Sequence, residues 1–136
     1  MLAGAMPLFL KSHSYGEYVF DWAWADAYER HGHRYYPKLL AAVPFTPVTG
    51  PRLLAGDPAA RQALVAAALE MAREVSSLHV LFPRPEEAML LEASGLMLRR
   101  TVQFHWRNEG YADFEDFLGR MTAHRRTGTG TARRHG

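Results

Sequence analysis

The chain contains no cysteine among its 136 residues. That excludes a disulfide framework, a thiol nucleophile and any cysteine-ligated metal site. Long apolar runs are missing too, and none approaches the roughly 20 residues a helix needs to cross a bilayer. The opening MLAGAMPLFLKSH places no basic leader before its short apolar stretch, so neither a signal peptide nor a membrane span is expected, as in a cytoplasmic protein. Lysine is scarce, with 2 against 14 arginines, a bias as easily genomic as functional. Positive charge is scarce in the body as well. The formal charge is +2, but Arg120, Arg125, Arg126, Arg133 and Arg134 lie in an acid-free tail, leaving 11 basic against 14 acidic residues before it. The whole-domain basicity of a nucleic-acid binder is therefore absent.

What is present suits one domain with a modest core, at 48% hydrophobic residues. Leu2 to Leu10 reads as a buried strand with Pro7 at an edge or bulge. From Gly16 to His31 the residues Phe20, Trp24, Ala27 and Tyr28 share a helical face, and Gly32 suits a left-handed stop. Tyr35 to Phe45 reads as a second strand that ends in a Pro-rich turn reaching Gly56. Asp57 with Pro58 opens a helix whose stripe is Val65, Ala68, Leu69, Ala72 and Val75. A short strand over Leu78 to Phe82, a helix over Pro85 to Ser94 closed by Gly95, and a long strand over Leu96 to Trp106 follow. In that strand Met97, Arg99, Thr101, Gln103 and His105 share one face. Asp113 opens a last helix carrying Phe114, Phe117, Leu118 and Met121. The alternation predicts an α/β fold, a mixed sheet flanked by helices over residues 1–123, with a disordered basic tail over 124–136.

Side chains able to do chemistry gather early. In His13-Ser14-Tyr15-Gly16-Glu17 a strand gives way to a helix, the place where α/β proteins converge polar groups on a ligand. His13 or Glu17 can accept a proton there, while Ser14 and Glu17 equally read as a helix cap and its capping-box partner. Tyr36 and Lys38 share a strand face, where Lys38 either holds an anion or guards a sheet edge. Gln103 and His105 share another face. His31-Gly32-His33 lacks a third ligand at recognisable spacing, so no metal is expected. The aromatic series Tyr15, Tyr18, Phe20, Trp22, Trp24 and Tyr28 reads as core.

Three ordered blocks carry a family resemblance: K-S-H-S-x-G-E-Y-V-F-D over Lys11 to Asp21, Y-Y-P-K-L over Tyr35 to Leu39, and P-F-T-P-V-x-G-x-R over Pro44 to Arg52. Q-F-H-W over Gln103 to Trp106 and N-x-G-Y over Asn108 to Tyr111 extend them. In these blocks the chain resembles the FemAB-like branch of the GNAT acyltransferase superfamily, and it resembles an internal part of the larger family members, which implies a truncated domain. The resemblance implies an acyl or aminoacyl transferase acting on an amine, with a peptidoglycan precursor as acceptor and acyl-coenzyme A or charged tRNA as donor. It gives His13 and Glu17 proton transfer, Ser14, Tyr36, Lys38, Gln103 and His105 substrate contacts, and Thr46, Gly50 and Arg52 the donor turn. Pro47 and Pro51 lack N–H groups for a phosphate cradle, and Asp57 sets a carboxylate at the next helix entrance, both unfavourable to coenzyme A. A truncated chain also makes self-association plausible. The alternative is a non-catalytic fragment or binding module.

Overall fold

The computed structural model describes residues 2–19 and 21–121, and the tail expected to be disordered, over 124–136, lies outside them. The chain forms two compact units, Met1–Arg99 and Arg100–Gly136. The first is mixed α/β, as the alternation of patterns predicts. Its elements are β1 (Gly4–Ala5), β2 (Phe9–Lys11), α1 (Trp22–Arg30), β3 (Lys38–Ala41), β4 (Leu54–Ala55), α2 (Pro58–Ala72), β5 (Leu78–Val80) and α3 (Pro85–Ala93). β3 is the centre of a three-stranded sheet, antiparallel to β2 and parallel to β5. All four residues of β3 are buried, as a central strand covered on both faces requires. β1 and β4 form a separate antiparallel pair with Gly4 opposite Ala55.

α2 follows from its sequence. The Asp57 carboxylate accepts the Ala60 N–H at 2.8 Å, Pro58 occupies the first turn, and Val65 and Ala68 are buried. Val65 packs with Leu53 and Leu91 as the centre of the core, with Met6, Leu69 and Val80 around them. Glu87 ties the turn before β4 to α3: its buried carboxylate accepts the backbone N–H groups of Arg52, Leu53 and Arg84 at 2.8–3.1 Å.

Several expectations are corrected. The first strand is broken into β1 and β2 around Pro7, and it is not buried: Leu10 is 66% exposed. α1 begins at Trp22 rather than Gly16, because Gly16 and Tyr18 both adopt positive φ, 78° and 54°, which no right-handed helix accommodates. The helix ends as expected, at Gly32 with φ 74°. Most of the aromatic series is not core, Tyr28 is half-buried, and Phe20 lies outside the described residues. α1 contains no buried residue among those described, and Tyr15, Tyr18, Trp22 and Trp24 are all exposed. Trp24 has the Arg99 guanidinium over its ring at 5.4 Å. The long strand over Leu96 to Trp106 is absent: among the described residues it has no ladder, and Val102, Phe104 and Trp106 are exposed. Alternation marks a chain able to line a sheet, but a strand exists only where a partner supplies hydrogen bonds.

In the second unit α4 (Phe114–Gly119) starts at Asp113, whose carboxylate accepts the Asp116 N–H at 2.8 Å. Trp106, Tyr111 and Phe117 pack ring to ring, and the Arg120 guanidinium lies 4.9 Å over Tyr111.

These placements separate two apolar truncations. Leu91→Ala is expected to cost about 2–5 kcal/mol as a core deletion. Trp24→Ala removes a half-exposed ring and one exposed cation–π contact, and should cost about 1 kcal/mol or less. Urea denaturation midpoints of the two variants check the order, and an equal or larger loss at Trp24 would contradict it.

Candidate functional site

The site is built around Lys38, the first residue of the central strand and 0% exposed. A side chain there points into the layer between the sheet and the segment before α1. Its ammonium donates to Ser14 Oγ at 2.7 Å, Glu17 Oε2 at 2.9 Å and Asp21 Oδ2 at 2.6 Å. All three ammonium protons are thereby engaged, which satisfies the donor capacity of a lysine. Asp21 occupies the N-cap position of α1 and makes no capping bond; its Oδ2 also accepts the Tyr35 hydroxyl at 2.7 Å and the Ser14 hydroxyl at 3.0 Å. Ser14 Oγ is further joined to the Tyr36 hydroxyl at 2.8 Å. Tyr35 and Tyr36 hold their rings 5.2 and 5.7 Å from the Lys38 nitrogen.

Two carboxylates against one ammonium leave this buried cluster with one net negative charge. Glu17 Oε1 and Asp21 Oδ1 are buried and have no hydrogen-bond partner among the described residues. Burial pushes the Asp21 carboxyl up, but the hydrogen bonds from Lys38, Tyr35 and Ser14 and the Lys38 charge outweigh it and hold it below the usual carboxylate range. Burial, the Asp21 hydrogen bond and its charge push the Tyr35 phenol up, so it stays a donor. His79, opposite Leu40 in the β3–β5 ladder, is brought down to about 4 by burial first and the Lys38 charge second. Its Nε2 lies 3.0 Å from Ser77 Oγ.

The segment above the cluster carries its exposed groups. The His13 Nδ1 accepts the Tyr15 N–H at 3.3 Å, leaving Nε2 outward from that bond. The His13, Tyr15 and Trp22 rings follow one another at 5.2 and 5.9 Å. Phe45, at φ 57°, lies so close to Gly16 that a Cβ there would meet its ring at 2.6 Å, and the Phe45 N–H donates to the Gly16 carbonyl.

A family model described as FemAB_like, peptidoglycan biosynthesis/recognition, matches residues 1–135. The chain belongs to the FemAB-like family. No curated protein and no solved structure matches it.

Of the residues the sequence singles out in this FemAB-like chain, the structure brings Ser14, Glu17, Tyr36 and Lys38 into one network, with His13 beside it. Lys38 is neither an edge guard nor an open anion holder, since it sits mid-sheet with every proton engaged. Ser14 and Glu17 are no helix cap, because the helix starts later. Thr46, Gly50 and Arg52 lie in the segment before β4, which meets the first family block where Phe45 packs on Gly16. The Gly50 N–H donates to Phe82, the Arg52 and Leu53 N–H groups to Glu87 and the Phe45 N–H to Gly16, so these donors are closed to a phosphate. The Arg52 guanidinium is likewise engaged, with Nε on the Leu81 carbonyl at 2.8 Å, Nη2 on Val48 at 2.7 Å and Nη1 on Pro51 at 3.2 Å. Gln103 and His105 belong to the second unit, where His105 borders a groove of about 340 Å³ beside Trp106, Tyr111 and Phe117. They share no strand face, since that strand is absent. His31 and His33 have separate neighbours, the Ala27 carbonyl and the Tyr28 ring, and the described residues hold no group of three ligands suited to a metal. No helix among them is long and apolar enough to cross a membrane.

Sequence reasoning missed Asp21, Tyr35 and His79. Asp21 closes the first family block and Tyr35 opens the second, so their place in the blocks was the available signal. His79 carried none, because its proximity to Lys38 exists only through the parallel β3–β5 pairing.

Removing Lys38 isolates two buried carboxylates. Lys38→Met is expected to destabilise the first unit by about 3–5 kcal/mol, while the triple variant Lys38→Met, Glu17→Gln, Asp21→Asn should lose clearly less. Denaturation midpoints check this, and equal losses would contradict it. The acid limb should have two stages. His79, with its folded value depressed, contributes stability that is present above pH about 6.5 and lost as pH falls toward 4. Asp21, depressed below 3.8, contributes stability lost only at still lower pH. His79→Gln should flatten the upper stage and Asp21→Asn the lower in a melting series against pH.

Proposed function

We propose that this FemAB-like chain is a cytoplasmic acyl or aminoacyl transferase of the GNAT type, acting on the amine of a peptidoglycan precursor. The observation that carries this reading is the folding of the first family block around Lys38. Ser14, Glu17 and Asp21 anchor the segment from beneath, and His13 is presented on it with Nε2 outward from its one hydrogen bond. Glu17, held by the Lys38 ammonium, is a positioning residue rather than the base. In the transfer the amine lone pair attacks the acyl carbonyl carbon, a C–N bond forms, and the bond to the donor's sulfur or oxygen breaks. With Nδ1 accepting the Tyr15 N–H, the neutral ring carries its own proton on Nε2. His13 therefore takes the proton released from the amine on Nδ1 by giving up that 3.3 Å bond, and the leaving group takes one from solvent. The engaged N–H groups of the turn and the two prolines favour charged tRNA over acyl-coenzyme A as donor.

Those same engaged groups favour a second reading, a binding module that recognises the precursor without turnover, since Lys38 has all three ammonium protons engaged within the protein and Arg52 three of its guanidinium N–H groups. One experiment separates the two. The chain is incubated with a lipid-linked peptidoglycan precursor and either charged tRNA or acetyl-coenzyme A, and the precursor's mass is followed alongside the chain's melting temperature. A mass gain that falls by about 10²-fold or more in His13→Ala, whose melting is unchanged, supports the transferase. Stabilisation by the precursor without mass gain supports the module. Neither effect would contradict both.

A further inference from the structure

Gln103 to Trp106 and Asn108 to Tyr111 take no part in the Lys38 network, yet within the second unit their ends fold onto each other. The Asn108 side-chain oxygen accepts the Gly110 N–H at 3.0 Å and the Tyr111 N–H at 3.3 Å, and Gly110 supplies the positive φ, 81°, of this turn. The turn sets the Tyr111 ring against Trp106, stacked at 26° with centroids 6.2 Å apart. Phe117 of α4 meets both rings edge on, at 6.1 and 5.2 Å. Trp106 nevertheless stays 65% exposed. Its packing therefore fixes the orientation of a large flat ring while leaving most of it to solvent, and that ring lines the groove of about 340 Å³. Small-ligand sites run from roughly 300 to 1,000 Å³ and pair an aromatic wall with a few placed polar groups, so the groove suits one ring-sized ligand.

The side chains that line the groove with Trp106 select the occupant. Arg107 and Arg120 oppose Glu109 there, and Arg120 is further paired with Asp116 at 3.5 Å, so neither sign of charge prevails. A phosphate or an ammonium is not favoured. The same groups offer both donors and acceptors, guanidinium and carboxylate, with the His105 imidazole in the same lining. Arg107 is exposed and has no hydrogen bond or ion pair among the described residues. A neutral ring with a flat C–H face and a rim of hydroxyls satisfies all of this, because its slightly positive C–H bonds meet the negative face of the indole while its hydroxyls reach the guanidinium and the carboxylate. That description is a pyranose sugar. A nucleotide brings phosphate, which a balanced rim does not attract, and an apolar peptide side chain would leave the charged edges it covers unpaired.

We propose that the groove formed by Trp106, Arg107 and Glu109 binds a pyranose ring of a neutral glycan. This rests on the proposed function only in the choice of sugar, N-acetylglucosamine, since a peptidoglycan precursor carries amino sugars. Sugar binding needs no acyl donor and no turnover, so the two ideas separate.

The test uses the full chain and three uncharged probes, chitotriose, adenosine and N-acetyl-leucine amide, with binding followed by calorimetry. Chitotriose should bind, the other two about tenfold or more weakly, and added salt should leave its affinity unchanged. Arg107→Met, at an exposed position outside the ring stack, should weaken chitotriose about tenfold with melting unchanged. Trp106→Ala should lose about tenfold as well, and Trp106→Phe should keep most of the affinity. Because Trp106→Ala also removes packing against Tyr111 and Phe117, Arg107→Met decides if that variant melts early. No binding of chitotriose by the folded chain would overturn the site, and so would equal binding of adenosine or of the leucine amide. Chitotriose binding undiminished by Arg107→Met would place the sugar elsewhere and overturn it too. A chain that binds chitotriose yet transfers no acyl group keeps the groove and loses the transferase. One that transfers to the precursor and ignores chitotriose does the reverse.

Discussion

A single ammonium, that of Lys38, holds the segment before α1 onto the central strand. Its bonds to Ser14, Glu17 and Asp21 span 17 to 24 residues of sequence and replace the helix cap that Asp21 would otherwise provide. Apolar packing adds little to it: α1 contains no buried residue among those described, and its Tyr28 ring meets Tyr35 edge to face at 5.3 Å. The start of the helix is therefore positioned mainly by the polar cluster. Desolvating three charges costs several kcal/mol per ion and is offset only by good geometry and further hydrogen bonds, which Tyr35 and Tyr36 supply. Such a cluster is a poor choice for stability alone. It is an effective way to fix a loop whose outward groups must stay in place.

The consequence for function is a division of labour between what is buried and what is presented. Lys38, Glu17 and Asp21 set geometry and field, while His13, Tyr15 and Trp22 meet solvent. The turn before β4 is closed in a comparable way, with Glu87 accepting three backbone N–H groups and Arg52 donating to three carbonyls. Membership of the FemAB-like family, matched over residues 1–135, gives this arrangement a setting in peptidoglycan biosynthesis or recognition.

The parts of the fold that local chemistry dictates were legible. Asp57 with Pro58 marks α2 because capping and a fixed φ act within one turn, and Gly32 and Gly95 stop their helices for similarly local reasons. Elements that need a remote partner were misread. Leu96 to Trp106 has the alternation of a strand but no ladder, and Trp24 has the spacing of a core residue but no layer above it. Lys38 shows the same limit in the site. A lysine in an apolar strand reads as an edge guard until Glu17 and Asp21 are known to lie against it.

The most direct measurement addresses the Lys38 ammonium itself, and a chain with only two lysines makes it simple. In ¹⁵N-labelled protein near neutral pH, the Lys38 NH₃⁺ protons should give a resolved signal that exchanges slowly with water, because the group is 0% exposed and fully hydrogen-bonded. Lys11, whose one recorded bond is to the exposed Tyr15 carbonyl, serves as the fast-exchanging control. Asp21→Asn should accelerate exchange at Lys38. Rapid exchange at Lys38, indistinguishable from Lys11 in the folded chain, would show that the ammonium lies in water and contradict the account.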